Sequence, residues 1–282
     1  EQAHKLMPAK AERTLGGEFG HDVALWEDTL VVGSPEARVD GVGNTGGVWV
    51  FLRANNTWSQ HQALVPKDGS SFDKFGHAVA IFEDTLAVGA VGFENGDGRV
   101  YLYKRVAGFT SLFLADQKLL SPHLGATALP IHYGWDVSLH NMTLVVGAPG
   151  DISLHTNGHN QSTGLAYVYT RESFGQKYLH HSVLRPTPAL ALDRVGHAVA
   201  VWDDVVAVSS LEGSKARGQP RQEVQMIRTQ AAGGATIGNT FRVGRTERQS
   251  ADGLWRTVWT RAIESDALAS TVRAVLMEDL GT

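Results

Sequence analysis

The chain has 282 residues, 43% apolar and 19% charged, with a formal net charge of −4 and no cysteine. This is enough chain to bury one sizeable core beside a small second module. The acidic balance argues against nucleic acid, which demands a concentrated basic patch, and no apolar run is long enough to read as a membrane-spanning helix.

In chain order the first feature is HKLMP at 4–8, a short motif that gains meaning from the repeats C-terminal to it. The block FGHDVALWEDTLVVGS at 19–34 returns as FGHAVAIFEDTLAVGA at 75–90, YGWDVSLHNMTLVVGA at 133–148 and VGHAVAVWDDVVAVSS at 195–210. The four copies align without a gap, and their starts are separated by 56, 58 and 62 residues. A period of this size means one supersecondary unit in tandem, each copy burying a face against its neighbours. The positions that define the unit are Phe19, Gly20, Gly33, Phe75, Gly76, Gly89, Tyr133, Gly134, Gly147 and Gly196. A glycine repeated at one place predicts positive φ or a backbone too close to a neighbour for a Cβ.

Each block predicts two strands. The first alternates, as in His77-Ala78-Val79-Ala80-Ile81-Phe82. The second is nearly continuous and apolar, as in Thr85-Leu86-Ala87-Val88-Gly89-Ala90, the pattern of a strand covered on both faces. A polar pair between them supplies the turn. A third strand follows a Gly-rich loop, at 47–51, 99–103 and 165–169, and a fourth at 61–66, 117–122 and 181–186 ends in Pro66, Pro122 or Pro186. Proline cannot donate to a ladder, so this strand belongs at an outer edge. Four strands per unit predict an all-β fold, a β-propeller of four-stranded antiparallel blades, over residues 1–219. HKLMP matches the fourth-strand motif. It is therefore expected either to close a small ring with the incomplete fourth blade, formed by the block at 195–210 with Glu223–Ile227, or to belong to an arc of a larger propeller.

The FG…TLVVGAP pattern of Phe19-Gly20 with Gly33-Ser34-Pro35, and of Tyr133-Gly134 with Gly147-Ala148-Pro149, resembles the FG-GAP repeat best known from integrin α-subunit propellers. The resemblance covers residues 1 to about 215 and implies an extracellular propeller used for adhesion or protein recognition. Such propellers often hold Ca²⁺ through an acidic loop. The loops here, EARVDGVGNTGG (36–47), GFENGDG (92–98) and GDISLHTNGHNQSTG (150–164), each offer one or two carboxylates, where Ca²⁺ needs six to eight oxygens. Turn chemistry is the favoured role of these loops, and no cofactor or metal is expected, with loop-bound Ca²⁺ the alternative.

From about Arg221 the pattern changes. GSKARGQPR at 213–221 reads as a connector into a second unit, 220–282. That unit holds strand candidates at 223–231, 239–245 and 254–263. Leu268, Val272, Val275, Leu276 and Leu280 then fall at helical spacing between Ser265-Asp266 and Gly281, an amphipathic helix with both caps. This α+β module resembles one found in large secreted and flagellar proteins of algae and oomycetes, in which a further strand follows the helix. The chain starts at Glu1 and stops at Thr282, so it is expected to be part of a longer polypeptide.

Candidate chemistry is sparse. His21, His77 and His197 share one repeat position with Trp135, which marks a packing site. His155 and His159 with Asp151 have no helix to align them as ligands, and His180-His181 points to opposite faces of a strand. Asp22 and Asp136 recur at one position, as either an acid–base pair or the rim of a solvated channel. No catalytic motif is present, and no catalytic residue is expected. Asn55, Asn141 and Asn160 head three N-glycosylation sequons. The resulting expectation is a non-enzymatic extracellular glycoprotein segment, from a cell surface or flagellar surface. Its partners would be other protein chains, in an oligomer or filament, or glycans. A propeller enzyme acting on glycans, or a lectin, is the competing reading.

Overall fold

The computed structural model describes residues 5–9, 17–38, 43–106, 112–123, 130–151, 162–185, 194–203, 205–213, 221–228, 240–241, 244–248, 255–259 and 263–264, with side chains described as far as residue 210. Each repeat folds into one antiparallel sheet whose strands follow chain order. Blade 1 is β1 (Val23–Trp26), β2 (Thr29–Ser34), β3 (Gly47–Ala54) and β4 (Thr57–Leu64). Blade 2 is β5 (Phe75–Phe82), β6 (Thr85–Ala90), β7 (Arg99–Arg105) and β8 (Phe113–Leu120). Blade 3 is β9 (Val137–His140), β10 (Thr143–Ala148), β11 (Leu165–Thr170) and β12 (Leu179–Leu184).

Blade 4 has three strands among the described residues: β13 (Val199–Trp202), β14 (Val205–Gly213) and β15 (Arg221–Arg228). β15 pairs along β14, so a strand beyond residue 220 completes this sheet as its third member. Two short pairs come after it, β16 (Thr240–Phe241) with β19 (Ile263–Glu264), and β17 (Gly244–Arg248) with β18 (Trp255–Trp259). The helix expected after residue 265 lies outside the described residues. A short turn at Phe93–Gly96, α1, is the one helical element described, and Glu94 and Asn95 within it have left-handed backbone angles.

The continuous apolar strands β2, β6 and β10 lie inside their sheets, as their two-sided burial requires. Turns between first and second strands place Glu27, Glu83, Asn141 and Asp203 at positive φ, a geometry that Asn and Asp tolerate best. The first residue of each of the first three blocks packs edge-on against the aromatics of its own third strand. Phe19 meets Trp49 and Phe51, Phe75 meets Tyr101 and Tyr103, and Tyr133 meets Tyr167.

Successive blades stack face to face. Val31, Val48, Val50 and Leu64 of blade 1 join Phe75, Val79, Ile81, Leu86 and Val88 of blade 2 in one buried cluster. Equivalent clusters join blades 2 and 3, and blades 3 and 4. The stacking brings glycine against glycine. A Cβ on Gly33, Gly89 or Gly147 would stand 2.1, 2.0 or 2.0 Å from the carbonyl oxygen of Gly76, Gly134 or Gly196 in the next blade. Those receiving glycines have φ of 84° to 90°. The fourth block carries Ser209 where the others have glycine. Residues 5–9 form no strand. Leu6 instead packs beside Trp49, Phe51 and Phe19, and the Ala9 N–H donates to Gln60 Oε1 at 2.7 Å.

Gly89→Ala should therefore cost about 3 kcal/mol or more, because the clash is with backbone rather than a movable side chain. Ser209→Gly should cost less, about 1–2 kcal/mol, chiefly by removing the acceptor of the Ala198 N–H, which donates to Ser209 Oγ at 2.9 Å. Denaturant unfolding of the two variants checks the contrast, and equal effects would contradict the packing described.

Candidate functional site

Two columns of rings run across the blades. His21, His77, Trp135 and His197 are spaced 4.8, 4.6 and 5.5 Å between centroids. Trp26, Phe82, His140 and Trp202 are spaced 4.3, 4.8 and 4.4 Å. Both columns arise because one residue per block holds each place, so the expectation of a packing role for the histidines agrees with their geometry. His77 Nδ1–H donates to the Trp135 carbonyl at 3.0 Å, which fixes its tautomer. Burial lowers the pKa of His77 to about 4, with the neighbouring His21 acting in the same direction.

Asp22 and Asp136, partly buried at the inner edge, act as caps for backbone N–H groups. Each caps two backbone donors with its two oxygens. Val23 N–H donates to Asp22 Oδ1 at 2.9 Å and Val79 N–H of blade 2 to Oδ2 at 2.7 Å. Val137 N–H donates to Asp136 Oδ1 at 2.9 Å and Val199 N–H of blade 4 to Oδ2 at 2.7 Å. Further along the same strands, Val201 N–H donates to Ser138 Oγ and Asp203 N–H to His140 Nδ1, at 3.0 and 2.8 Å. An inner edge strand has a row of N–H groups with no ladder partner. The preceding blade satisfies them with side chains. Burial pushes the Asp136 carboxyl up to about 6, the Asp22 charge adds to this, and the two N–H bonds oppose it.

Two further links recur that the sequence reading missed. Arg105 Nη2 donates to Thr29 Oγ1 at 2.7 Å and Arg171 Nη1 to Thr85 Oγ1 at 3.0 Å, each reaching back one blade. The guanidinium of Arg105 lies 4.8 Å over Phe113, and that of Arg171 4.8 Å over Tyr178. Gln62 and Gln117 clasp the backbone of Phe113 and Tyr178 in both directions, at 2.8 to 2.9 Å. The signal was present, since Arg53, Arg105 and Arg171 each stand six residues after the first residue of their third strand. Arg53 alone stays within its own blade, bonding Asp28 at 2.7 Å.

At the end of the blades that carries the long loops, linker residues lock the next blade's tyrosine. Asp68, after β4, is held by Arg99, Tyr101 and Lys118. Burial acts to raise its pKa, but the hydrogen bonds and charges of Lys118 and Arg99 hold it below the usual value. Asp151, fully buried, accepts from Tyr167 and contacts His123 Nδ1 at 2.9 Å. Asp151 thus serves His123 and Tyr167, while His155 and His159 lie outside the described residues. Burial and then the Asp151 charge raise the Tyr167 pKa far above its usual value, so its hydroxyl is a hydrogen-bond donor and not a base.

Asn55 and Asn141 sit exposed in tight turns at φ of 49° and 53°. Asn160 lies outside the described residues. Among the described residues no helix is long and apolar enough to cross a membrane. Residues 58–103 match the FG-GAP repeat family. The matched stretch runs from β4 of blade 1 to β7 of blade 2 and contains one complete blade junction.

The His77 ring should titrate near pH 4 by NMR, and a midpoint near 6.5 would contradict its burial. The fold holds the neutral ring. Its stabilising contribution is therefore complete above pH 6.5 and is lost as pH falls toward 4. Asp136→Ala should cost about 1–3 kcal/mol by leaving two backbone donors without their acceptor. Thermal or denaturant unfolding checks this, and an unchanged midpoint would contradict the capping role.

Proposed function

We propose that this chain is a non-enzymatic extracellular recognition and structural module, a segment of a large cell-surface, adhesion or flagellar-appendage glycoprotein with an integrin-like propeller. The observation that carries this reading is how the chemically capable side chains are used. Asp22, Asp136, His77, Arg105, Arg171 and the Asp151–His123–Tyr167 group are all spent on holding blade to blade or loop to blade. The match of residues 58–103 to the FG-GAP repeat supports the same reading.

The placement of Asn55 and Asn141 is compatible with it. In an up-and-down blade the first and third turns share one end, so Asn55 and Asn141 lie at the end opposite the long loops at 35–46, 91–98 and 149–164. Glycans at these two sites stand away from the loop end, while the third sequon, Asn160, falls within the 149–164 connection. The β-rich C-terminal unit is the connection to neighbouring polypeptide, and the partners are other protein chains.

Secretion from a eukaryotic host should yield protein that loses mass on treatment with a peptide N-glycosidase. Asn55→Gln and Asn141→Gln should each remove one glycan. Secreted protein without glycans would count against the glycoprotein reading, and turnover of a polysaccharide panel would replace the recognition role with the enzyme.

A further inference from the structure

The junction of blades 2 and 3 holds a small polar cavity that the blade-to-blade links do not use. Thr85, Lys104, Asp116, Arg171, Gly175 and Tyr178 are on its wall. Its volume, counted as the positions open to the centre of a water molecule, is about 10 Å³, which is room for one guest of that size. Arg171 and Tyr178 are only 7% and 3% exposed. Among the described residues five buried side-chain atoms have no hydrogen-bond partner in the protein, and three of them are Arg171 Nε, Arg171 Nη2 and Tyr178 Oη. The other two belong to separate arginines, Arg99 and Arg105.

The repeat shows that the Tyr178 hydroxyl is an addition. Arg105 and Arg171 hold matching places, each bonded to the threonine one blade back and each stacked on the ring whose backbone a glutamine clasps. That ring is Phe113 at the junction of blades 1 and 2, and Tyr178 at the junction of blades 2 and 3. The packing therefore needs a ring and not a hydroxyl, yet Tyr178 brings one to a place where leaving it unpaired costs about 1–3 kcal/mol. Arg171 is confined too. The rings of Phe174 and Tyr178 lie 4.7 and 4.8 Å from its guanidinium, and Nη1 is taken by Thr85. Nη2 stands 3.5 Å from Asp84 Oδ1, beyond the usual hydrogen-bond range, and that oxygen accepts from Thr85 Oγ1 at 2.8 Å instead. Nε and Nη2 make up the side fork of the guanidinium, a pair of donors that can share one acceptor.

A guest here has to accept hydrogen bonds. Arg171 can only donate. Burial pushes the Tyr178 hydroxyl up to about 12, against the opposing charge of Arg171, so it keeps its proton. The surrounding charge is positive on balance. Lys177 pairs with Asp116 at 2.6 Å and Arg171 faces Asp84, which leaves Lys104 over. Gly175, at φ of 84°, gives the Lys104 ammonium its place on the wall, since Nζ lies 2.7 Å from where a Cβ would stand. We propose that this cavity is a binding site for one small monovalent anion of the size of chloride, held between blades 2 and 3 by the side fork of Arg171 and the Tyr178 hydroxyl. Water also fits the size, but it brings no charge to set against Lys104 and has two hydrogens of its own to place.

The site is independent of the recognition role, and its test leaves that role untouched. Titration with sodium chloride should raise the unfolding temperature of the chain above that in sodium gluconate at equal ionic strength, because gluconate is too large to enter. Tyr178→Phe copies the Phe113 junction and so keeps the fold. It should weaken chloride binding, read from the same titration, at least about tenfold, the loss of one hydrogen bond to a charged group. Crystals grown in bromide should show an anomalous peak in contact with Arg171 Nε and Tyr178 Oη in the wild type and none there in Tyr178→Phe. An ordered water at that place without anomalous signal, or an equal chloride response in wild type and variant, would overturn the inference. A bromide peak with no chloride response in solution would mean an adventitious ion only, and would overturn it too.

Discussion

The fold depends on a backbone-to-backbone contact between glycines of neighbouring blades. At Gly33, Gly89 and Gly147 the next blade's carbonyl occupies the space a side chain would need. No side chain can be trimmed to relieve that contact. The spacing of the blades is therefore set by main chain, and everything nearer the inner strands inherits it. The ring columns are close enough for contact between successive members because this distance is fixed. The recurrence of glycine at two places in the block thus reports one contact seen from its two sides.

Close stacking creates an electrostatic problem at the inner edge. Strands β5 and β13 turn backbone donors toward the preceding blade, where water is excluded, and an unsatisfied buried N–H costs about 1–3 kcal/mol. The sequence meets this with carboxylate, hydroxyl and imidazole acceptors on the blade before. The same burial that makes these bonds necessary keeps His77 neutral and raises the Asp136 carboxyl. Perturbed ionisation is often read as a mark of catalysis. In this protein it comes from polar groups serving as joints between sheets.

The blades were legible in the sequence because period, alternation and glycine all signalled the same strands. Strands β2, β6 and β10 stand out by continuous apolarity, and β3, β7 and β11 by their aromatics. The joints were harder to see. Asp22 and Asp136 look like candidate acids until the N–H groups of Val79 and Val199 are placed beside them, and backbone donors leave no trace in a residue pattern. The Arg171–Thr85 link spans 86 positions, so neither residue marks the other. HKLMP matches a strand motif, but a strand exists only with a ladder partner, and Lys5–Ala9 packs through Leu6 without one.

The aspartates at the inner edge have a consequence for how such a chain can change in length. They alternate, with Asp22 and Asp136 in the odd blocks and Ala78 and Ala198 in the even ones. Each aspartate satisfies one donor in its own blade and one in the blade after it. Removing a single blade would set two aspartates against the same donor, or leave a donor between two alanines with no acceptor. Removing or adding two blades preserves every bond. Parity is therefore built into the stack, so that the heritable unit of growth is the blade pair, and any ring closed by these joints contains an even number of blades.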